Sequence, residues 1–74
     1  MNIKELEVLF YEEVRNDFLP FVVNDSVEII EGSDKGKFAA VISISSVDPE
    51  LAYLVEKADG SGDLVVSAKA LRLI

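Results

Sequence analysis

The run Asp25-Ser-Val-Glu-Ile-Ile-Glu-Gly-Ser-Asp-Lys-Gly-Lys-Phe-Ala-Ala-Val41 constrains the fold more than any other part of the chain. Val27 and Ile29 alternate with Ser26 and Glu28, the period of a half-buried strand. Gly32 and Gly36 bracket a basic turn, and apolar residues resume at Phe38. This order is how a small, strongly bent β-barrel opens. Such barrels bind more often than they catalyse.

The remaining residues fit around that opening. Residues 2–18 have helical spacing: Ile3, Leu6, Phe10 and Val14 form a stripe that Leu9 and Phe18 widen. Asn2 with Glu5 makes a capping box, Met1 and Leu6 a hydrophobic staple, and Pro20 a stop. Val8 and Tyr11 fall outside the stripe. They are either partly exposed or packed on a neighbouring loop, or they form a second apolar face that holds a partner or another copy of the chain.

Beyond Asn24-Asp25 the pattern is β. Lys37–Ser46 reads as a long strand with Phe38, Ala40, Ile42 and Ile44 on its inner face. Ala39 and Val41 make its first half apolar on both sides, which suggests a bend. Val47–Glu50 is a turn, Leu51–Glu56 a third strand and Asp59–Asp63 a glycine-rich hairpin loop. Leu64–Val66 is a fourth strand, Ser67–Ala70 one tight helical turn and Leu71–Leu73 a closing strand. The expected fold is mainly β with one N-terminal α-helix. Residues 1–19 are an amphipathic helix appended to a five-stranded SH3-like barrel, 24–74, whose strands close on themselves.

Composition narrows the chemistry. The chain has 74 residues, no cysteine and no histidine. Disulfides, thiolate sites, the commonest zinc ligand and the usual general base are therefore all missing. No cofactor, metal or catalytic residue is expected. Lys4, Glu5 and Glu7 stand where a secretion signal needs apolar residues, and no apolar run reaches the roughly 20 residues of a membrane span. A cytoplasmic location is the expectation. Net charge is −7, with −3 in residues 1–19 and −4 in the rest. Counterion release favours basic proteins on nucleic acid, so this balance points to a basic or neutral protein partner.

The segment 25–45 resembles the KOW motif of SH3-like barrels in certain ribosomal proteins and transcription-elongation factors. Asp25, Val27, Ile29, Gly32, Lys35, Gly36, Lys37 and Val41 match its pattern over about a quarter of the chain. The resemblance implies the barrel fold and, in the family, association with RNA, the ribosome or a transcription complex. Ala39 stands where the family has its second glycine. Glu28, Glu31, Asp34, Ser43 and Ser45 replace the basic residues of nucleic-acid-binding members. The architecture is also similar, more loosely, to small immunity proteins of bacterial toxin systems.

Other motifs fail on spacing. Gly32-Ser-Asp-Lys-Gly-Lys37 lacks the glycine separation of a P-loop and is followed by Phe38 instead of Ser or Thr. Asp59, Ser61 and Asp63 imitate the start of a calcium loop, but Leu64 and Ala70 fall where its glycine and glutamate belong. The function expected is non-catalytic protein recognition of a regulatory or immunity-inhibitor type, with KOW-type RNA association as the alternative. Asp34, Lys35, Gly36, Lys37, Tyr53 and Tyr11 are the candidate partner-binding residues.

Overall fold

The structure, a computed structural model, describes residues 3–15 and 19–74. Among these residues one helix, α1 (Ile3–Tyr11), precedes five strands: β1 (Ser26–Ile29), β2 (Phe38–Ser46), β3 (Ala52–Lys57), β4 (Asp63–Ser67) and β5 (Leu71–Leu73). All neighbouring strands are antiparallel in a single sheet of order β4-β3-β2-β1-β5. A 3-10 turn, Ala68–Ala70, joins β4 to β5, and the Ser67 hydroxyl caps it by accepting from Lys69 N–H. No ladder joins β4 to β5, so the closed strand circuit expected from sequence is not formed by backbone pairing. No described helix is long and apolar enough to cross a membrane.

The helix is shorter than its apolar spacing predicts. Glu12 N–H still bonds the Val8 carbonyl at 3.0 Å, but Glu13 N–H reaches Phe10 O (3.2 Å) and Val14 N–H reaches Leu9 O (2.9 Å). That crossed pair, with Glu13 at φ 61°, is a Schellman ending. Val14, expected on the buried stripe, is therefore outside the helix and exposed. The capping residues Asn2 and Met1, and Phe18, lie outside the described residues. The left-handed site normally belongs to glycine, and a Cβ there costs about 1–2 kcal/mol. Glu13→Gly is expected to raise stability by about 0.5–1 kcal/mol after glycine's larger unfolded-state entropy is subtracted. A urea midpoint that does not rise would show that Glu13 is not held in this conformation.

In the first half of β2 the inner face is the opposite of the one predicted, whereas Ile44 packs against the core as expected. Antiparallel partners share a face, and Val27, fully buried, pairs with Ala39. Ala39 and Val41 therefore point into the core. Phe38, paired with Glu28, and Ala40, paired with Ser26, point outward. A register shift between Val41 and Ser43 then reverses the alternation, and Ile44 opposes the buried Tyr53. Such a bulge bends its strand and strengthens its twist. The apolar residues on both sides of β2 thus mark a bend, as the sequence suggests, but with Phe38 left outside.

One core serves helix and sheet together. Leu6 and Phe10 of α1 pack with Leu19, Phe21, Val22, Val27, Ile29, Ala39, Val41, Tyr53, Val55, Val66 and Leu71. Between helix and sheet, Val22–Asp25 forms a β-turn closed by Asp25 N–H to Val22 O at 3.1 Å. Asn24 takes its third position at φ 68°, a geometry asparagine tolerates.

Candidate functional site

Helix position is set from below by two polar side chains that the core encloses. Tyr53 is 0% exposed, and its hydroxyl donates to Phe21 O (2.8 Å) and accepts from Phe21 N–H (3.2 Å). Its ring lies 6.0 Å from Phe10, nearly parallel, and 5.7 Å from Phe21, edge-on. Burial pushes the Tyr53 phenol up to about 12; the Phe21 hydrogen bond opposes this and the Asp25 charge adds to it. Asp25, also buried, accepts from Val22 N–H at 2.9 Å and from the Arg15 guanidinium through both carboxylate oxygens. This two-point grip ties the segment after α1 to the start of β1. Tyr53 was among the candidate contact residues by sequence. Its position in the core corrects that: the side chain cannot meet a partner, and both its polar capacities are spent on Phe21.

Above this support lies an exposed apolar patch. Val8 is 56% and Tyr11 58% exposed, three positions apart on α1. Lys4, Glu7, Val8, Tyr11 and Glu12 line an open depression of about 570 Å³. The Tyr11 ring stands edge-on to Phe10 with centroids 4.9 Å apart and planes at 88°. An aromatic side chain braced by a buried ring offers area to a partner at little entropic cost. Among the described residues, Glu7, Glu12 and Glu13 have no ion-pair partner.

The β1–β2 turn gathers the other candidates. Gly36, at φ 93°, donates to Ile29 O at 2.7 Å and so brings the chain back into the ladder. Asp34 is half-buried and receives Lys37 (3.2 Å) and Lys57 (3.7 Å), while Lys37 also reaches Asp59 (3.5 Å). Hydrogen bonding to Asp34, then the Asp59 charge, raises the Lys37 pKa; hydrogen bonds from Ser61 lower that of Asp59. Lys37 is thus neutralised by its own chain. Lys35 points to solvent without an ion pair among the described residues. At the start of β2, Phe38 is 54% exposed over a shallow depression lined by Gly36, Lys37, Ala58 and Asp59.

The structure therefore separates the six candidates. Asp34, Lys35, Gly36 and Lys37 share one turn, Tyr11 stands on the helix patch, and Tyr53 is in the core. Sequence reasoning missed the Arg15–Asp25 grip and the outward Phe38. The Val27–Ala39 pairing, which turns Phe38 out, has no signature in a single strand read alone. No described group of three or more His, Cys, Asp or Glu could hold a metal ion. The arrangement presents an exposed apolar patch with acidic residues around it and, apart from it, a largely charge-balanced turn. Comparisons with protein families, with curated proteins and with solved structures return no match for this chain.

Proposed function

We propose that the chain is a non-catalytic binding module that recognises a basic protein surface through the Val8–Tyr11 face of α1. One observation carries this reading: among the described residues four of the seven cations are paired within the chain, while seven exposed acids have no ion-pair partner. Arg15, Lys37, Lys57 and Arg72 each pair with an acid of the same chain. Glu7, Glu12, Glu13, Glu31, Asp48, Glu56 and Asp63 are exposed and have no such partner among the described residues. The surface therefore presents unbalanced negative charge, which steers and orients a positive partner. Tyr11 supplies the kind of aromatic anchor on which binding energy concentrates.

The reading includes an SH3-like small-barrel architecture of the immunity or regulatory type. The sheet order, the bulges in β2 and the 3-10 turn before β5 support it. Immobilised chain should retain a protein at low salt and release it at high salt, because exposed charges are screened over about 10 Å at 0.1 M. Tyr11→Ala should weaken that complex by about 2 kcal/mol or more. Glu7→Lys with Glu12→Lys should abolish the retention at low salt. A complex that survives all three substitutions would refute the helix face as the contact.

A second reading has one specific observation in its favour. Phe38 points outward three positions after Lys35, so a base could stack on it as the KOW resemblance implies. Lys37 is held by Asp34 and Asp59, which leaves Lys35 as the turn's available cation. If RNA is the ligand, Lys35→Glu should reduce the slope of log affinity against log salt by about 0.7–0.9. Phe38→Ala should weaken binding by about 1–3 kcal/mol.

A further inference from the structure

The β4 edge of the sheet pairs with no described strand. Lys57 N–H bonds Gly62 O at 3.0 Å, and Ala68 N–H bonds Leu51 O at 2.9 Å, one at each end of the β3–β4 ladder. Pairing runs without a break from Glu56–Asp63 to Ala52–Ser67. Hydrogen-bonded pairs alternate along an antiparallel ladder, so Leu64 and Val66 are the residues that bond β3. Asp63, Val65 and Ser67 turn their N–H and C=O groups the other way, toward an edge where no described strand pairs.

Exposed edges are ordinarily blunted by lysine, proline or a bulge. β4, Asp-Leu-Val-Val-Ser, has none of these, and Val65 is 57% exposed. Residues Leu64–Ser67, of both facings, line a cleft of about 250 Å³ whose other wall is Ile29 and Glu31–Asp34. Consecutive residues of both facings lining one cleft is what a groove along a strand's edge produces. The groove has backbone groups on one side, apolar Ile29 and Leu64 in its wall, and acid around it. Asp34 is offset by Lys37 and Lys57, but Glu31 and Asp63 are exposed and unpaired among the described residues.

We infer that the β4 edge binds an extended, basic segment of a protein partner by strand addition, Val65 supplying the central backbone contacts. The inference rests on the protein-recognition reading and gives it a second contact, made through main chain. Charge complementarity selects the occupant. A second copy of this chain would bring a net charge of −7 against −7. A basic strand instead meets Glu31 and Asp63, with its alternate side chains reaching the groove wall.

The probe is a short capped peptide of alternating lysine and valine, with a glutamate–valine peptide as control. On adding the lysine peptide, hydrogen exchange at the Val65 amide should slow about tenfold or more, since that N–H gains a partner. Val65→Pro removes only the outward-facing N–H, at a position where an edge strand tolerates proline. It should bind the peptide about tenfold more weakly while its other amides keep their native shifts. Should Val65→Pro fail to fold, the wild-type exchange measurement decides alone.

Binding of the lysine peptide without protection of Val65 overturns the inference, as does no binding at low salt. Protection that appears with rising protein concentration and no peptide also overturns it, by making a second copy the occupant. A natural complex lost with Tyr11→Ala but unaffected by Val65→Pro would remove the edge contact and leave the protein-recognition reading intact. Loss of every salt-dependent protein complex, with lysine-peptide protection of Val65 retained, would do the reverse.

Discussion

Phe10→Ala is expected to cost about 3–5 kcal/mol, the range for deleting a buried aromatic ring. Phe10 is fully buried and stacked against Tyr53, with Tyr11 edge-on to it. Its carbonyl also accepts from Glu13 N–H and Val23 N–H, so the residue joins the helix end to the strand entry. A chain of this size has a thin core, and domains in general are stable by only about 5–15 kcal/mol. The loss is therefore comparable to the whole stability. The variant should unfold at a much lower urea concentration, with helix and sheet signals lost together because they share one core. A midpoint change equivalent to less than about 1 kcal/mol would mean that the ring is not enclosed. Tyr11→Ala is the contrasting case. Its side chain lies largely in solvent, so it should change stability by less than about 1 kcal/mol while reducing partner binding.

That contrast shows what the sequence could convey about the helix. Spacing alone placed Leu6 and Phe10 inside and left Val8 and Tyr11 off the stripe, and the structure agrees on all four. The helix end was not legible, because a Schellman ending is read from glycine or asparagine and this chain uses Glu13. In the sheet, the strands and the 3-10 turn fall close to where alternation and turn residues put them. Which face of β2 is buried did not, since Ala39 and Phe38 are both apolar. The decision passes to Val27 on the neighbouring strand, a pairing that becomes visible only when the register is known. Strand closure was likewise beyond reach. Five short strands are equally compatible with a closed circuit and with an open edge at β4.

The candidate site divides along the same line. Local features, such as the glycine-flanked basic turn, were legible as a turn. Their electrostatic meaning was not, because Lys37 is neutralised by Asp59, far along the chain, as well as by Asp34. Tyr53 shows the opposite error. Tyrosine is common at contact surfaces because it is apolar with a polar tip, and those same properties suit it to a core with one polar demand. Phe21 makes that demand, since its N–H and C=O are removed from solvent at a point where no strand pairs with them.

Tyr53→Phe is therefore expected to destabilise the fold by about 1–3 kcal/mol, because it strands two buried backbone groups while keeping the ring. The same hydroxyl predicts an alkaline transition. Its pKa is about 12 in the folded chain, against about 10 when unfolded. Between those values the unfolded chain has lost the phenolic proton and the folded chain retains it, so stability falls as pH rises. Its contribution is complete below pH about 10 and is lost through about 12, on the order of 2–3 kcal/mol in all. Lys37, whose pKa is also raised, adds a loss of the same sign, so the informative quantity is a difference. Urea midpoints of the native chain and of Tyr53→Phe should converge as pH rises from 10 to 12. Phenolate absorbance from Tyr53 should appear near pH about 12 while the chain is folded and near about 10 once it is unfolded. If the midpoints stay parallel across that range, Tyr53 titrates in the folded state as freely as in the unfolded one, and its enclosure by Phe10 and Phe21 is wrong.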